Sequence, residues 1–161
     1  MKEKILIVVR HAHRDVIDPS EDNGLSEKGQ KQAMAIKSFY IKNFDSKEIK
    51  LFSSPKLRCQ ETLEPLSKYL NVKMEILDLL DESSQTKGGR IEERIMKFKT
   101  WWFKEAPPLM MICSHGDWIP TFFEQTLNQS TALKKGGWAE LKLRSGKVSL
   151  EKLVQRWNIE F

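Results

Sequence analysis

Cysteine and histidine are both scarce in this chain, and long apolar runs are missing. The 161 residues include two cysteines, Cys59 and Cys113, and three histidines. Both cysteines lie in apolar segments far apart in the sequence, so we expect buried free thiols in a reducing compartment rather than a disulfide or a metal pair. No apolar stretch approaches the length of a membrane span, and the run at 5–9 is too short for the core of a signal peptide. We therefore expect a cytoplasmic protein without a membrane partner.

The chain also lacks internal repeats, low-complexity tracts and linker-like segments. With 40% hydrophobic and 30% charged residues, it has the composition of one globular domain, which we expect to cover residues 1–161. The net charge of +5 favours anionic partners without choosing among phosphorylated molecules, acidic proteins and nucleic acid. The five tryptophans could stack on single-stranded nucleic acid, but packing in or beside the core is their commoner role, so we do not expect a nucleic-acid partner.

Short apolar segments alternate with amphipathic helical segments along the chain. The first, at 5–9, consists of Ile, Leu and Val and is typical of a strand buried on both faces of a sheet. Further strands are predicted at 49–53, 72–77, 109–113, 137–143 and 147–156. Helices are predicted from Ser26 to about 43, from Pro55 to about 70, at 91–104, and from Asp117 to about 127. This alternation predicts an α/β fold, a three-layer α/β/α sandwich around a mostly parallel central sheet.

Individual residues mark some of the element boundaries. Ser26 and Asp117 are predicted to cap the helices that follow them. Pro65 should kink or divide its helix, because a proline inside a helix loses a hydrogen bond and clashes with the preceding turn. The segments 18–24 and 81–90 are rich in turn-forming residues and are predicted to be loops.

Polar side chains directly follow two of the predicted strands. The first strand leads into Arg-His-Ala-His-Arg at 10–14, and the fourth leads into Ser-His-Gly-Asp at 114–117. The carboxyl ends of parallel strands share one edge of a sheet, where ligands bind, so we expect Arg10, His11 and His115 to meet there, together with Arg58. Guanidinium groups match phosphate oxygens, and helix N-termini add amide donors, so this edge is predicted to bind a phosphoryl group.

A metal site is the competing interpretation of the first polar segment. Residues 11–15 match the His-x-His-x-Asp spacing of metallo-hydrolases, and His115 and Asp117 could add ligands. Against this, the chain has only three histidines, and Arg10 and Arg14 would repel a divalent cation placed between them. We therefore predict no metal and no other cofactor, and we expect His13 to lie at the pocket rim or to order a loop.

Four separated segments carry a common pattern. They are Arg-His-Ala at 10–12, Leu-Ser-x-x-Gly-x-x-Gln-Ala at 25–33, Ser-Ser-Pro-x-x-Arg-x-x-x-Thr at 53–62 and Ser-His-Gly at 114–116. In this order they resemble the histidine phosphatase superfamily, which includes phosphoglycerate mutases, acid phosphatases and short bacterial phosphohistidine phosphatases, the last being closest in length. The resemblance implies a phosphoglycerate mutase-like fold. Two departures from the family pattern are Ala12, where a glycine is usual, and Asp117, since neither main branch places an acid there.

The resemblance also implies a role for each matching residue. His11 would be the nucleophile, forming a transient phosphohistidine that water hydrolyses. Arg10 and Arg58 would hold the phosphoryl oxygens with a hydrogen bond from His115. Arg14 would join them, because residues 10–14 also resemble the Arg-His-Gly-x-Arg pattern of the acid-phosphatase branch.

The proton donor to the leaving group has two candidates. Glu82 is the first, because Leu-Asp-Glu at 80–82 resembles the Leu-x-Glu segment of the mutase branch. Asp117 is the alternative donor. A phosphohistidine substrate has a nitrogen leaving group that needs less help from an acid, so an enzyme of this type could work without a strong donor.

Chain length bears on the kind of reaction. The region at 70–105 is short, whereas phosphoglycerate mutases generally carry insertions there that close over a small substrate. A metal-independent phosphatase is therefore favoured, with phosphohistidine protein as the leading substrate class and a small phosphate ester as the second. The partner would be a phosphoprotein or a phosphorylated small molecule. The alternatives are a mutase-like phosphotransferase and a non-catalytic pseudophosphatase that only binds phosphate, and the sequence does not specify an oligomeric state.

Overall fold

Strands and helices alternate through most of the chain, as the sequence predicts. The computed structural model describes residues 3–44, 46, 48–82 and 89–158, so the predicted loop at 81–90 lies partly outside the described residues. The strands are β1 (Lys4–Arg10), β2 (Lys50–Ser53), β3 (Met74–Ile76), β4 (Leu109–Ser114), β5 (Trp138–Arg144) and β6 (Lys147–Val154). The helices are α1 (Glu27–Phe44), α2 (Leu57–Leu70), α3 (Ile91–Lys104) and α4 (Trp118–Leu127), and a 3-10 turn covers Asp78–Leu80.

The six strands form one mixed sheet in the order β3-β2-β4-β1-β5-β6. The four strands from β3 to β1 are parallel, and β5 and β6 add an antiparallel ribbon beside β1. A two-residue turn, with positive φ at Ser145 and Gly146, joins β5 to β6, and only antiparallel neighbours can be joined so tightly. The mostly parallel sheet is therefore confirmed.

Helices cover both faces of the sheet. On one face α1 and α2 pack over Ile7 and Val9, and on the other α3 and α4 pack over Leu6 and Val8. All four of these β1 side chains are completely buried. Burying each such side chain stabilises the fold by about 1.5–3 kcal/mol, which explains why an uninterrupted aliphatic run becomes the central strand. The predicted three-layer sandwich is confirmed.

Four predicted details differ from the structure. Helix α2 begins at Leu57, two residues after the predicted start at Pro55. Strand β3 is shorter than the predicted 72–77, because it lies at the sheet edge and pairs with β2 at only three positions. Strand β6 ends at Val154, two residues early. Helix α2 is continuous through Pro65, so the helix is not divided there, and the kink that was the other alternative stays a prediction. Buried residues on both sides of the proline, including Leu63 and Leu66, hold the two halves against the sheet.

The tryptophans serve mainly to pack the core. Trp102, Trp118 and Trp138 are completely buried within the two apolar clusters that flank the sheet. Among the described residues, no helix combines the length and the apolar character that crossing a bilayer requires.

Candidate active site

The ends of β1 and β4 bring two histidines together. Arg10 and Ser114 are register partners at the last position of the two parallel strands. Just beyond, the backbone N–H of His11 donates to the carbonyl of Ser114 at 3.0 Å. The His11 and His115 rings lie 5.5 Å apart between centroids, and both residues are buried. The structure thus places these two histidines at the sheet edge where the sequence predicts a ligand site.

The hydrogen bonding of His11 leaves one ring nitrogen free to react. Nδ1 lies 2.9 Å from the carbonyl oxygen of Ala12, and because a carbonyl only accepts hydrogen bonds, Nδ1 carries the ring proton. Nε2 therefore holds a lone pair. Burial lowers the pKa of His11 from 6.5 to about 3; the Ala12 contact raises it, and the charges of His115, Arg58 and Arg10 lower it further. His11 is consequently neutral at physiological pH, which is the state a nucleophile needs.

This lowered pKa makes the stability of the protein depend on pH. Between pH 6.5 and about 3 the unfolded chain binds a proton at His11 that the folded protein does not, so this contribution to stability falls as the pH falls. The loss is about 1.4 kcal/mol per pH unit, or about 2 kcal/mol between pH 7 and pH 5. Urea unfolding measures this difference. We expect the free energy of unfolding to fall by about 2 kcal/mol more between pH 7 and pH 5 in the wild type than in His11→Asn. Equal pH dependence in both proteins would contradict the lowered pKa.

Arg58 is a second buried group at the site, held on the first turn of α2. Its Nη2 donates to Glu82 Oε2 at 2.6 Å, and its Nη1 lies 4.0 Å from Asp22 Oδ1. The Nε atoms of Arg58 and Arg10 are both buried and make no hydrogen bond within the described part of the chain. Buried donors of this kind normally have an acceptor, so the two arginines retain capacity for an anionic group.

His115 lies between a serine and the Arg58–Glu82 ion pair. Its Nε2 is 2.8 Å from Ser54 Oγ and 3.8 Å from Asp81 Oδ1. Its Nδ1 is 3.5 Å from Nη2 of Arg58 and 3.7 Å from Oε2 of Glu82. Ser54 therefore orients the ring through Nε2, while Nδ1 faces Arg58 and Glu82.

Arg10 is anchored beside the same site. Its Nη1 donates to the carbonyl of Leu133 at 2.9 Å, and its guanidinium group packs over Gly116. A Cβ atom at position 116 would lie 2.8 Å from Arg10 Cζ, so any larger residue there would displace the guanidinium group. Burial lowers the pKa of Arg10 and the nearby charge of Asp117 opposes this shift.

The other motif residues hold the turn that carries His11. The Thr62 hydroxyl accepts from the Ala12 N–H at 2.9 Å and donates to the carbonyl of Arg58 at 2.7 Å, so it joins the nucleophile turn to α2. A Cβ atom at Gly29 would lie 1.9 Å from the carbonyl oxygen of His13, so this position requires glycine. Ser26 Oγ accepts from the Gly29 N–H at 3.1 Å, which confirms the predicted cap of α1. Ala12 does not adopt a positive φ, so its methyl group is tolerated.

None of the hydrogen bonds described so far involves the side chains of Arg14 and Asp117, which were predicted at the site, or of His13, which was predicted to lie at its rim or to order a loop. Arg14 donates from Nη2 to the carbonyl of Pro19 at 2.7 Å, so its phosphate contact stays a prediction without a supporting bond. His13 places Nδ1 2.7 Å from Ser26 Oγ. Asp117 is exposed at the N-cap position of α4 but makes no capping hydrogen bond with its side chain, so its predicted capping contact is absent.

Several positioning residues were missed in the sequence. Arg94 is completely buried on α3 and donates to the carbonyls of Asp81 at 2.5 Å, Glu82 at 2.8 Å and Gly89 at 3.0 Å, so it holds the segment that carries Glu82. An arginine in an amphipathic helix gives no signal of such a role, since most lie in solvent. Ser54 did carry a signal, because it belongs to the Ser-Ser-Pro motif.

The arrangement suits an anion better than a cation. The His11 and His13 rings form hydrogen bonds to different neighbours, Ala12 and Ser26, rather than converging on one point. Within the ranges that the structure describes, no three histidine, cysteine, aspartate or glutamate side chains are grouped so that they could hold a metal ion. The buried Arg58 and the half-buried Arg10 can instead bind a phosphoryl group, which the neutral His11 can attack.

Comparison with solved structures identifies the class of fold. The chain matches a mycobacterial hydrolase at a TM-score of 0.76 and 15% identity, covering 94% of this chain and 98% of that one. It matches a phosphoserine phosphatase from Entamoeba histolytica, a mutant in complex with phosphoserine, at 0.72 and 16%, covering 93% and 96%. A mycobacterial glucosyl-3-phosphoglycerate phosphatase gives 0.72 and 16%, covering 92% and 97%. These likenesses confirm a phosphoglycerate mutase-like fold.

The sequence itself identifies the family. Residues 6–102 match the family model of the histidine phosphatase superfamily (branch 1). This match covers more than half of the chain, and the protein therefore belongs to that superfamily. The comparison with curated protein sequences gave no match.

Proposed function

We propose that this protein is a metal-independent phosphatase that transfers a phosphoryl group first to Nε2 of His11 and then to water. One observation carries the proposal: His11 is buried and neutral, its Nδ1 proton is held by Ala12, and Nε2 is left with its lone pair beside two arginines. Family membership and the phosphatases among the structural neighbours support phosphatase chemistry in general.

In the first step the substrate phosphoryl group binds between the arginines and histidines. Arg10 and Arg58 donate to its oxygens, and His115 donates from Nδ1 while Ser54 holds Nε2. Nε2 of His11 attacks phosphorus, the bond from phosphorus to the leaving group breaks with its electron pair, and the leaving atom takes a proton from an acid. Because the donors are already in place, they stabilise the charge that develops in the transition state.

In the second step water replaces His11 on phosphorus. The carboxylate formed in the first step takes a proton from the attacking water, the new phosphorus–oxygen bond forms, and the nitrogen–phosphorus bond breaks. Inorganic phosphate leaves and His11 returns to its neutral form with Nδ1 still bonded to Ala12. Splitting the reaction in this way replaces one difficult displacement with two easier ones.

Glu82 is the proton donor that the geometry favours. Its Oε2 lies 2.6 Å from Arg58 and 3.7 Å from His115, the two groups that would hold the phosphoryl oxygens. A bound phosphoryl group would compete with Glu82 for the Arg58 donors, which would place the carboxyl beside the leaving atom. Asp117 is exposed, and its charge acts on Arg10, so it is the weaker candidate.

The substrate is proposed to be a phosphohistidine protein or a small phosphate ester. The short region at 70–105, without the insertions that close over a small substrate in phosphoglycerate mutases, supports the first. Two structural neighbours are phosphatases of phosphoserine and of glucosyl-3-phosphoglycerate, which supports the second. Both substrates carry one phosphoryl group that the arginine pair could hold in the same way.

The proposed function is tested by measuring phosphate release from a phosphohistidine protein and from p-nitrophenyl phosphate, side by side, in EDTA. We expect turnover of at least one substrate, and the faster one identifies the substrate class. Loss of activity in EDTA that zinc or manganese restores would replace this mechanism with a metal-dependent one. Binding of phosphate without turnover of either substrate would favour the pseudophosphatase alternative.

Replacing each candidate acid with its amide should show which one donates the proton. We expect Glu82→Gln to lower kcat by about 10²-fold for aryl phosphates whose leaving group has a high pKa, such as phenyl phosphate. The effect on phosphohistidine should be smaller, because a nitrogen leaving group needs less acid assistance. Asp117→Asn is the matched control, because it also replaces one carboxylate with an amide, and it should change kcat by less than about threefold. Steady-state kinetics on aryl phosphates of increasing leaving-group pKa measures both. The reverse order of effects would assign the donor to Asp117.

A further inference from the structure

A cationic cavity lies beside the active site on the side of Arg10. Its volume is about 590 Å³, and it is bounded by the start of α1, the loop before β5 and the segment that follows β6. Its positively charged lining residues are Arg10, Lys28, Lys134, Lys135 and Arg156. The rest of its lining is neutral glutamine, tryptophan and histidine, and no carboxylate lines it within the described residues.

These charges are not neutralised by the protein. Across the described ranges of the chain, Lys28, Lys134, Lys135 and Arg156 form no ion pair. Their effect is visible at His13 on the cavity wall, where partial burial and then the charges of Lys135 and Lys28 lower the pKa. A concave surface of one charge sign raises the local concentration of ligands of the opposite sign.

Backbone hydrogen bonds join the wall of this cavity to the turn that carries His11. The N–H of Gly136, next to the two lysines, lies 3.1 Å from the carbonyl oxygen of His11 and 3.2 Å from that of Arg10. Trp157 donates from Nε1 to the carbonyl of Gly136 at 2.7 Å, and Gln155 Oε1 accepts from the N–H of Lys134 at 2.8 Å. The lysine loop is therefore held in place from both sides and is fixed relative to the His11 turn.

We propose that this cavity binds a second anionic group of the substrate, a phosphate or a carboxylate, while the phosphoryl group to be removed lies at His11. The proposal rests on the proposed function, because it assigns a substrate class to that same site. Arg10 belongs to both the site and the cavity, and the volume is in the range of small-molecule binding sites and exceeds what one phosphoryl group fills. Lysine ammonium groups bind phosphate and carboxylate as point charges.

The second anion could belong to a small bisphosphate or to an acidic residue near a phosphorylated side chain, and matched substrates distinguish these sources. One pair consists of the monophosphate and the bisphosphate of 1,3-propanediol, repeated with 1,6-hexanediol to vary the spacing. The other pair consists of phosphorylated peptides with aspartate or asparagine beside the phosphorylated residue. For each pair we measure kcat/KM in EDTA and take the ratio of the more anionic substrate to the less anionic one.

We expect the wild-type ratio of kcat/KM to exceed tenfold in at least one pair. The pair with the larger ratio identifies the molecule that carries the second anion. In Lys134→Gln/Lys135→Gln this ratio should fall at least fivefold, mainly through KM, because these lysines would contribute binding and not chemistry. The control Lys73→Gln/Lys147→Gln removes the same charge at two exposed positions outside the cavity and should keep the wild-type ratio.

The proposal fails if the wild-type ratio is near one in all pairs, or if the cavity and control variants change it equally; either result would leave the proposed function standing. If no substrate is turned over, the proposed function fails, and calorimetry then tests the cavity alone. In that case the propanediol bisphosphate should bind the wild type at least tenfold more tightly than it binds Lys134→Gln/Lys135→Gln. Equal affinities would overturn the proposal.

Discussion

Replacing His11 with alanine is expected to lower turnover of every phosphorylated substrate by about 10⁴-fold or more, because the variant has no atom to accept the phosphoryl group. The bond from Nδ1 to Ala12 leaves Nε2 of the buried ring as the attacking atom. Phosphate release in EDTA measures the loss. The far-ultraviolet circular dichroism spectrum should stay that of the wild type, since His11 follows β1 and does not belong to it.

The covalent intermediate gives a more specific test of the same residue. Rapid mixing of the wild type with ³²P-labelled substrate, followed by quenching in base, should trap label that is stable in base and lost in acid, as expected for a phosphohistidine. His11→Ala should trap none, whereas Lys147→Gln, an exposed change on β6, should trap as much as the wild type. Full activity in His11→Ala, or label at another residue, would show that the mechanism is wrong.

Replacing Arg58 with alanine is expected to lower kcat/KM by about 10³-fold, the range for loss of a donor that stabilises transition-state charge. Arg58 is buried, pairs with Glu82 and keeps its Nε without an acceptor, so the variant loses a phosphate ligand together with the ion pair to Glu82. Arg58→Lys should recover only about tenfold of this loss, because an ammonium group cannot bond Glu82 and a phosphoryl oxygen in the planar geometry of a guanidinium group.

Two comparisons separate catalysis from folding in the Arg58 experiment. Arg144→Ala removes an arginine whose ion pair with Glu3 lies at the surface, and it should retain activity within about twofold. In Arg58→Ala/Glu82→Gln the carboxylate that paired with Arg58 loses its charge as well, so stability to urea should recover in part while activity should not. If Arg58→Ala retains activity within tenfold of the wild type, Arg58 is not a ligand of the transition state.

The fold was predictable because its strongest signals are local. The aliphatic run of β1 and the similar run of β4 each predict a strand buried on both faces, and the structure pairs these two strands at the centre of the sheet. The course of α2 was not predictable from Pro65 alone. The local cost of a proline is outweighed by burial of the apolar side chains around it, and that burial exists only once the helix lies on the sheet.

The candidate site was predictable only in part. His11, His115 and Arg58 were expected to meet because parallel strands end at one edge, and the structure brings them together. Arg14 was expected among them, but a short bridge between Arg14 and Leu25 begins the loop in which its side chain contacts Pro19. Arg94 was not expected at all, because its partners are backbone carbonyls that no sequence pattern marks.

The sequence by itself determined the strands, the family and the chemical groups at the site, because hydrophobic pattern and side-chain identity are local properties of the chain. Only the tertiary structure decided how those groups behave. The neutral state of His11 results from burial and from the positive charges around the ring, which outweigh the opposing effect of one backbone carbonyl. The pairing of Arg58 with Glu82 depends on a segment that Arg94 holds. The cationic cavity likewise gathers residues from 10, 28, 134–135 and 156, and such charges interact through distance and burial, which only folding establishes.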